Sequence, residues 1–103
     1  MIEITDCFAR TVRLTDERLG HILQHPEMRE MAPQIERTLA APQLVRRSRS
    51  DPAAQLFYRY YTQTMVGGKW LCIVVKYGAT DAFVVTAYLT DKPKAGEELW
   101  PTK

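Results

Sequence analysis

The chain has 103 residues, 46% hydrophobic and 25% charged, with a net charge of +2. That size and balance fit one soluble globular domain over 1–103 and argue against a disulfide scaffold, since only Cys7 and Cys72 are present and they lie far apart. The apolar run Leu71 to Val75 is too short to cross a bilayer, and the acidic start MIEITD lacks the basic run of a signal peptide, so no membrane and a reducing cytoplasm are expected.

In chain order, Phe8 to Leu14 alternates apolar and polar residues and predicts a short edge strand. Thr15 then offers an N-cap, with Asp16 and Glu17 in a first turn where the helix dipole favours negative charge. Leu19, Ile22 and Leu23 form an apolar stripe at helical spacing, and Pro26 should stop this helix near His25. Pro26 suits the start of a second helix, whose buried side carries Met28, Met31, Ile35 and Leu39. Pro33 lies inside that helix and should kink or break it early, and Pro42 closes it.

The period then changes. PQLVRRS reads as a short strand or extended arm, and QLFYRYYTQT, KWLCIVVKY and FVVTAYLT are rich in aromatic and β-branched residues. MVGG and GATD connect these three strands. The tail 91–103 is loop, with a final short strand at Leu99 and Trp100. The expectation is therefore α+β: two N-terminal helices (about 15–41) packed on one face of an antiparallel sheet of about four strands (about 43–90).

A four-residue MVGG loop sets Thr64 opposite Lys69, Phe57 opposite Lys76 and Arg59 opposite Val74. Leu56, Tyr58, Tyr60, Leu71, Ile73 and Val75 then face the helices. The open face receives Phe57, Arg59, Tyr61, Gln63, Trp70, Cys72, Val74 and Lys76, a mixture of cations and rings suited to an anionic, ring-bearing ligand. A one-residue slip would invert this assignment. In the next strand Val84, Thr86, Tyr88 and Thr90 share the open side and Phe83, Val85, Ala87 and Leu89 the core side, which requires an odd-length connection at GATD.

Only two histidines occur, His21 and His25, four residues apart in LGHILQHPEM. A metal pair needs a third ligand and an unbroken helix, and Pro26 interrupts the helix. His25 reads as a turn residue between helices. His21, beside the apolar stripe, is either a satisfied half-buried histidine or a general acid or base. Arg46, Arg47 and Arg49 in VRRSRSD form a basic cluster that suits a phosphate backbone or a solvated loop.

Together, HILQHPEM, IERTLAAPQLV, FYRYY, WLCIVVKY and FVVTAYLT resemble the barnase–EndoU–colicin–RelE-like nucleases, a family of small bacterial and phage-borne proteins. The resemblance runs from His21 to Leu89. It implies a metal-independent endoribonuclease of toxin type that cleaves RNA by 2′-hydroxyl attack, needs no cofactor, and is held inactive by a small antitoxin protein. His21, Lys76 and Tyr88 would be its catalytic residues, and Arg46, Arg47, Arg59 and Thr86 its RNA contacts. The chain lacks a second histidine for an obvious acid–base pair, so Lys76 or Tyr88 would have to take that part. The rival expectation is a non-catalytic module that binds RNA or protein on the same sheet face, as a monomer or weak homodimer.

Overall fold

A computed structural model describes residues 1–101; residues 102 and 103, the end of the expected tail, lie outside the described residues. Two strands open the chain, β1 (Ile2–Thr5) and β2 (Thr11–Leu14). Helix α1 (Asp16–Leu23), a 3₁₀ turn (Pro26–Met28) and helix α2 (Ala32–Ala40) follow. Five strands complete it: β3 (Leu44–Arg47), β4 (Ala54–Tyr61), β5 (Lys69–Tyr77), β6 (Ala82–Thr90) and β7 (Glu98–Trp100). They form one sheet in the order β1-β2-β6-β5-β4-β3-β7. Neighbours are antiparallel except β2 and β6, which are parallel through Arg13 and Phe83. The class is α+β as expected. The helices are not N-terminal, since two strands precede them, and the sheet has seven strands where about four were expected.

Local chemistry accounts for the helices. Thr15 caps α1 by accepting a 3.1 Å bond from the Arg18 backbone NH. Pro26 prevents continuation, and a single 3₁₀ turn buries Met28. Pro33 sits in the first turn of α2, where its missing NH costs nothing, so it starts this helix and does not kink it. Ile22, Met28, Met31, Ile35 and Leu39 are buried against Val45, Phe57, Leu71, Ile73, Val75, Val84 and Ala87 on one face of the sheet.

The hairpin register differs from the expected one. Phe57 faces Ile73, Tyr58 faces Cys72 and Tyr60 faces Trp70. The connection is the seven residues 62–68, held by Thr64, whose hydroxyl bonds the Gly67 carbonyl and accepts from the Val66 NH. The pairing is offset by three from the expected one, an odd number, so β4 turns over while β5 keeps its faces. Phe57, Arg59 and Tyr61 look toward the helices; Leu56, Tyr58 and Tyr60 lie on the open side. In β6 the residue of parity expected from the loop comes from a bulge at Val85, which puts Val84 into the core and half-exposes Phe83 on the other side.

The β1–β2 turn is built on a buried carboxylate. Asp6 Oδ1 accepts from the backbone NH of Phe8 and of Arg10, both at 2.9 Å, and Oδ2 accepts from Tyr77 Oη at 2.8 Å. Arg10 Nε lies 3.3 Å from Asp6 Oδ2 as an ion pair without hydrogen-bond alignment, and its guanidinium is sandwiched between the rings of Phe8 and Tyr77. Arg10 Nη2 donates to Gln55 Oε1 at 3.0 Å. Ala9 completes the turn at a φ of 64°, in the left-handed region.

Two outcomes follow. Asp6→Ala strands Arg10 and the Tyr77 hydroxyl and should destabilise by about 3–5 kcal/mol in urea unfolding; a loss under about 1 kcal/mol would show that the turn does not depend on the carboxylate. Ala9→Gly relieves the left-handed backbone and should raise stability by up to about 1 kcal/mol, the strain relieved less the entropy added to the unfolded chain.

Candidate functional site

The face away from the helices carries a second, smaller cluster: Leu56, Tyr58 and Cys72 are buried, with Leu44, Trp70, Val74 and Tyr88 packed against them. Register stacks these side chains in rows across β4, β5 and β6. One row is Leu56, Val74 and Thr86; the next is Tyr58, Cys72 and Tyr88; the last is Tyr60, Trp70 and Thr90.

Among the described residues no helix covers this side. Residues 91–97 must cross from β6, inside the sheet, to β7 at its far edge, and they form a strap over it. The strap is held by backbone groups. Arg46 Nη1 donates to the Lys94 carbonyl at 2.7 Å, and the Lys94 NH donates to Tyr58 Oη at 3.0 Å. The Arg47 NH donates to the Glu97 carbonyl at 2.9 Å, and Arg47 Nε pairs with Glu97 Oε1 at 3.0 Å. Gly96 passes so close to β3 that a Cβ there would overlap the Arg47 carbonyl oxygen.

Between the strap and the β3–β4 connection lies a cleft of about 520 Å³. Its floor is Leu56, Val74, Thr86 and Tyr88; Ser48, Arg49 and Ser50 form one wall, Lys94 and Ala95 the other. Asp51 fixes the serine-bearing wall by accepting from the Ala53 NH and pairing with Lys76 Nζ at 3.0 Å. That ammonium holds Asp51 below the usual carboxylate range. Lys94 Nζ lies 5.8 Å from the Tyr88 ring centroid. Burial, then the neighbouring Cys72, pushes both phenols up, Tyr58 to about 12 and Tyr88 further. Burial also raises the Cys72 thiol. At neutral pH the phenols therefore stay protonated and can donate.

Of the residues singled out from sequence, Tyr88 and Thr86 line this cleft, and Arg46 and Lys76 lie on the same face. Arg46 is engaged with the strap, and its Nε is buried without a partner. Arg47 is taken up by Glu97. Arg59 lies on the helix face and donates to the Ala41 carbonyl at 2.7 Å, closing the end of α2. His21 is exposed on α1, 4.0 Å from Glu17, and therefore lies across the sheet from Lys76 and Tyr88. The expected His21–Lys76–Tyr88 set is not brought together: the helix that bears His21 buries Ile22 in the opposite core. His25 precedes the 3₁₀ turn, where its carbonyl accepts from the Met28 NH, so the two histidines do not share a helix face.

Sequence reasoning left Lys94, Ser48 and Ser50 out of the site and noted Arg49 only as part of a basic cluster. The usable signal was the last strand. A strand at Leu99 and Trp100 placed beyond β3 obliges DKPKAGE to cross the sheet.

The pH dependence of Tyr58 tests its burial. A folded value near 12 against an ordinary value of 10 means that its contribution is complete below pH 10 and is lost as pH rises toward 12. Tyr58→Phe should therefore flatten the fall in Tm between about pH 10 and 12, while costing roughly 0.5–1.5 kcal/mol at neutral pH for the lost Lys94 bond. An unchanged alkaline slope would mean that Tyr58 ionises freely in the folded protein. Comparison of the chain with family models, curated proteins and solved structures gives no match.

Proposed function

We propose that the open sheet face binds single-stranded RNA and that its cleft cleaves it without a metal, by attack of a 2′-hydroxyl on the adjacent phosphorus. The observation that carries this reading is the composition of one cleft: a phenol, three hydroxyls, a guanidinium and an ammonium line it, and among the described residues no carboxylate does. Arg49 and Lys94 would hold the phosphate and stabilise the charge that develops on it. Tyr88, kept protonated by burial, would give its proton to the leaving 5′ oxygen, while the 2′-hydroxyl proton passes to solvent. The small antitoxin implied by the family resemblance would act by covering this face.

A second reading is favoured by a specific observation. Neither His21 nor His25 lines the cleft, and histidine is the side chain best suited to take a proton at neutral pH. Without a base poised there, the face would serve as a non-catalytic RNA-binding module.

The test is cleavage of a mixed RNA in EDTA, with anisotropy of a labelled single strand measured alongside. Cleavage should survive chelation, fall on the order of 10²-fold or more in Tyr88→Phe, and be unchanged in His21→Ala. Arg49→Ala and Lys94→Ala should each weaken binding and lower the slope of log K against log salt by about 0.7. Binding without cleavage would establish the second reading. Neither binding nor cleavage would overturn both.

A further inference from the structure

Beyond the strap, on the same face, the cleft's cations give way to rings. Tyr60, next to last in β4 and past the last residue that pairs with β3, is 42% exposed. It meets half-buried Trp70 edge to face, with ring centroids 5.5 Å apart. Trp70 in turn meets Tyr58 edge to face at 6.5 Å. Gly68 makes room for the outer ring, since a Cβ there would overlap the Tyr60 hydroxyl. The two rings are therefore seated in a fixed geometry with one of them open to solvent.

Resting on the RNA reading above, we infer that the Tyr60–Trp70 pair is a stacking subsite for an unpaired base of the strand whose phosphate lies in the cleft. Aromatic rings take bases of any sequence, because every base has a π-face. The path between the two places is cationic. Lys94 and Lys92 are exposed on the strap and outside every ion pair among the described residues. The Lys92 carbonyl accepts from Thr90, which lies directly opposite Trp70. A backbone leaving the cleft over the strap would thus pass two ammoniums before reaching the rings.

The spacing sets a length requirement. From Val74 at the cleft floor to Trp70 is four residues of β5, roughly 13 Å at about 3.3 Å per residue. Stacked nucleotides advance about 3.4 Å each, so a dinucleotide held in the cleft falls short of the rings while a hexanucleotide spans to them.

The experiment uses 2′-O-methyl oligouridylates of two and six nucleotides, which cannot be cleaved by 2′-hydroxyl attack, with tryptophan fluorescence as the readout. The chain has two tryptophans, and Trp100 packs against the opposite core with its Nε1 bonded to the Pro42 carbonyl, so quenching reports Trp70. The hexanucleotide should quench and the dinucleotide should not. Tyr60→Ala should weaken the hexanucleotide roughly tenfold or more and leave the dinucleotide unchanged, while Tyr60→Phe retains wild-type binding. Hexanucleotide binding without quenching, and with the same affinity in Tyr60→Ala, would overturn the stacking subsite while the RNA reading stands. An equal loss for both lengths in Tyr60→Ala would also overturn it. Failure of wild type to bind either oligonucleotide would overturn both.

Discussion

Asp6 is a single carboxylate on which three distant parts of the chain converge. It closes the β1–β2 turn through two backbone NH groups, takes the hydroxyl of Tyr77 at the end of β5, and faces Arg10, which reaches Gln55 on β4. A buried carboxylate is tolerable only when its charge and lone pairs are met, and here they are met by groups from separate elements. The network holds β4 and β5 at the same time. It therefore pins the register of the central hairpin, in which Gln55 faces Val75 and Tyr77 bonds back to Ala53.

Register decides what the open face is made of. With β4 held in this phase, Leu56, Tyr58 and Tyr60 stand beside Val74, Cys72 and Trp70, and the face becomes an apolar and aromatic floor. In the phase one residue away, Phe57, Arg59 and Tyr61 would stand there and the helix-side core would lose Phe57. Such a slip would also detach Arg59 from the end of α2 and remove Tyr61 from its 3.0 Å contact with the buried Thr38 hydroxyl. The site depends on a turn on the other side of the sheet that contributes no residue to it.

The elements that could be read from sequence were those whose signal is local. Thr15 with Asp16 and Glu17 marked the start of α1; Lys69 to Tyr77 declared β5 by its density of β-branched and aromatic residues; Leu99 and Trp100 marked the last strand. What escaped was relational. IEIT does alternate apolar and polar residues, but over only four positions, and it buries only Ile4; β1 is held in place by pairing with β2. MVGG invited a four-residue loop, but Thr64 uses its side chain to extend the connection to seven and so changes parity. The bulge at Val85 has no residue preference to announce it. Tyr88 and Thr86 fell on the open face because their strand was phased correctly there. Arg59 and His21 fell elsewhere because the parity of β4 and the side taken by α1 are settled by contacts far away in the chain.

The net charge of +2 conceals how unevenly charge is spread. Arg13 is paired with Asp81, Lys69 with Asp91, Lys76 with Asp51 and Arg47 with Glu97, so four cations are neutralised close to the sheet. On the helix side Glu27 and Glu30 border a hollow with Gln34 and Gln63, and Glu36 is exposed on α2, but exposed Arg18, Arg29 and Arg37 on the same segment balance them. On the open side Arg49, Lys92 and Lys94 are left over. A nearly neutral chain thereby gathers unpaired cations around the cleft on its open side. A polyanion approaching that side is attracted before any contact forms, and the effect fades beyond roughly 8–10 Å at physiological salt. The strap carries two of the three leftover cations, Lys92 and Lys94, both exposed. It covers the small apolar cluster with backbone hydrogen bonds instead of a helix, and this leaves its lysine side chains directed at solvent.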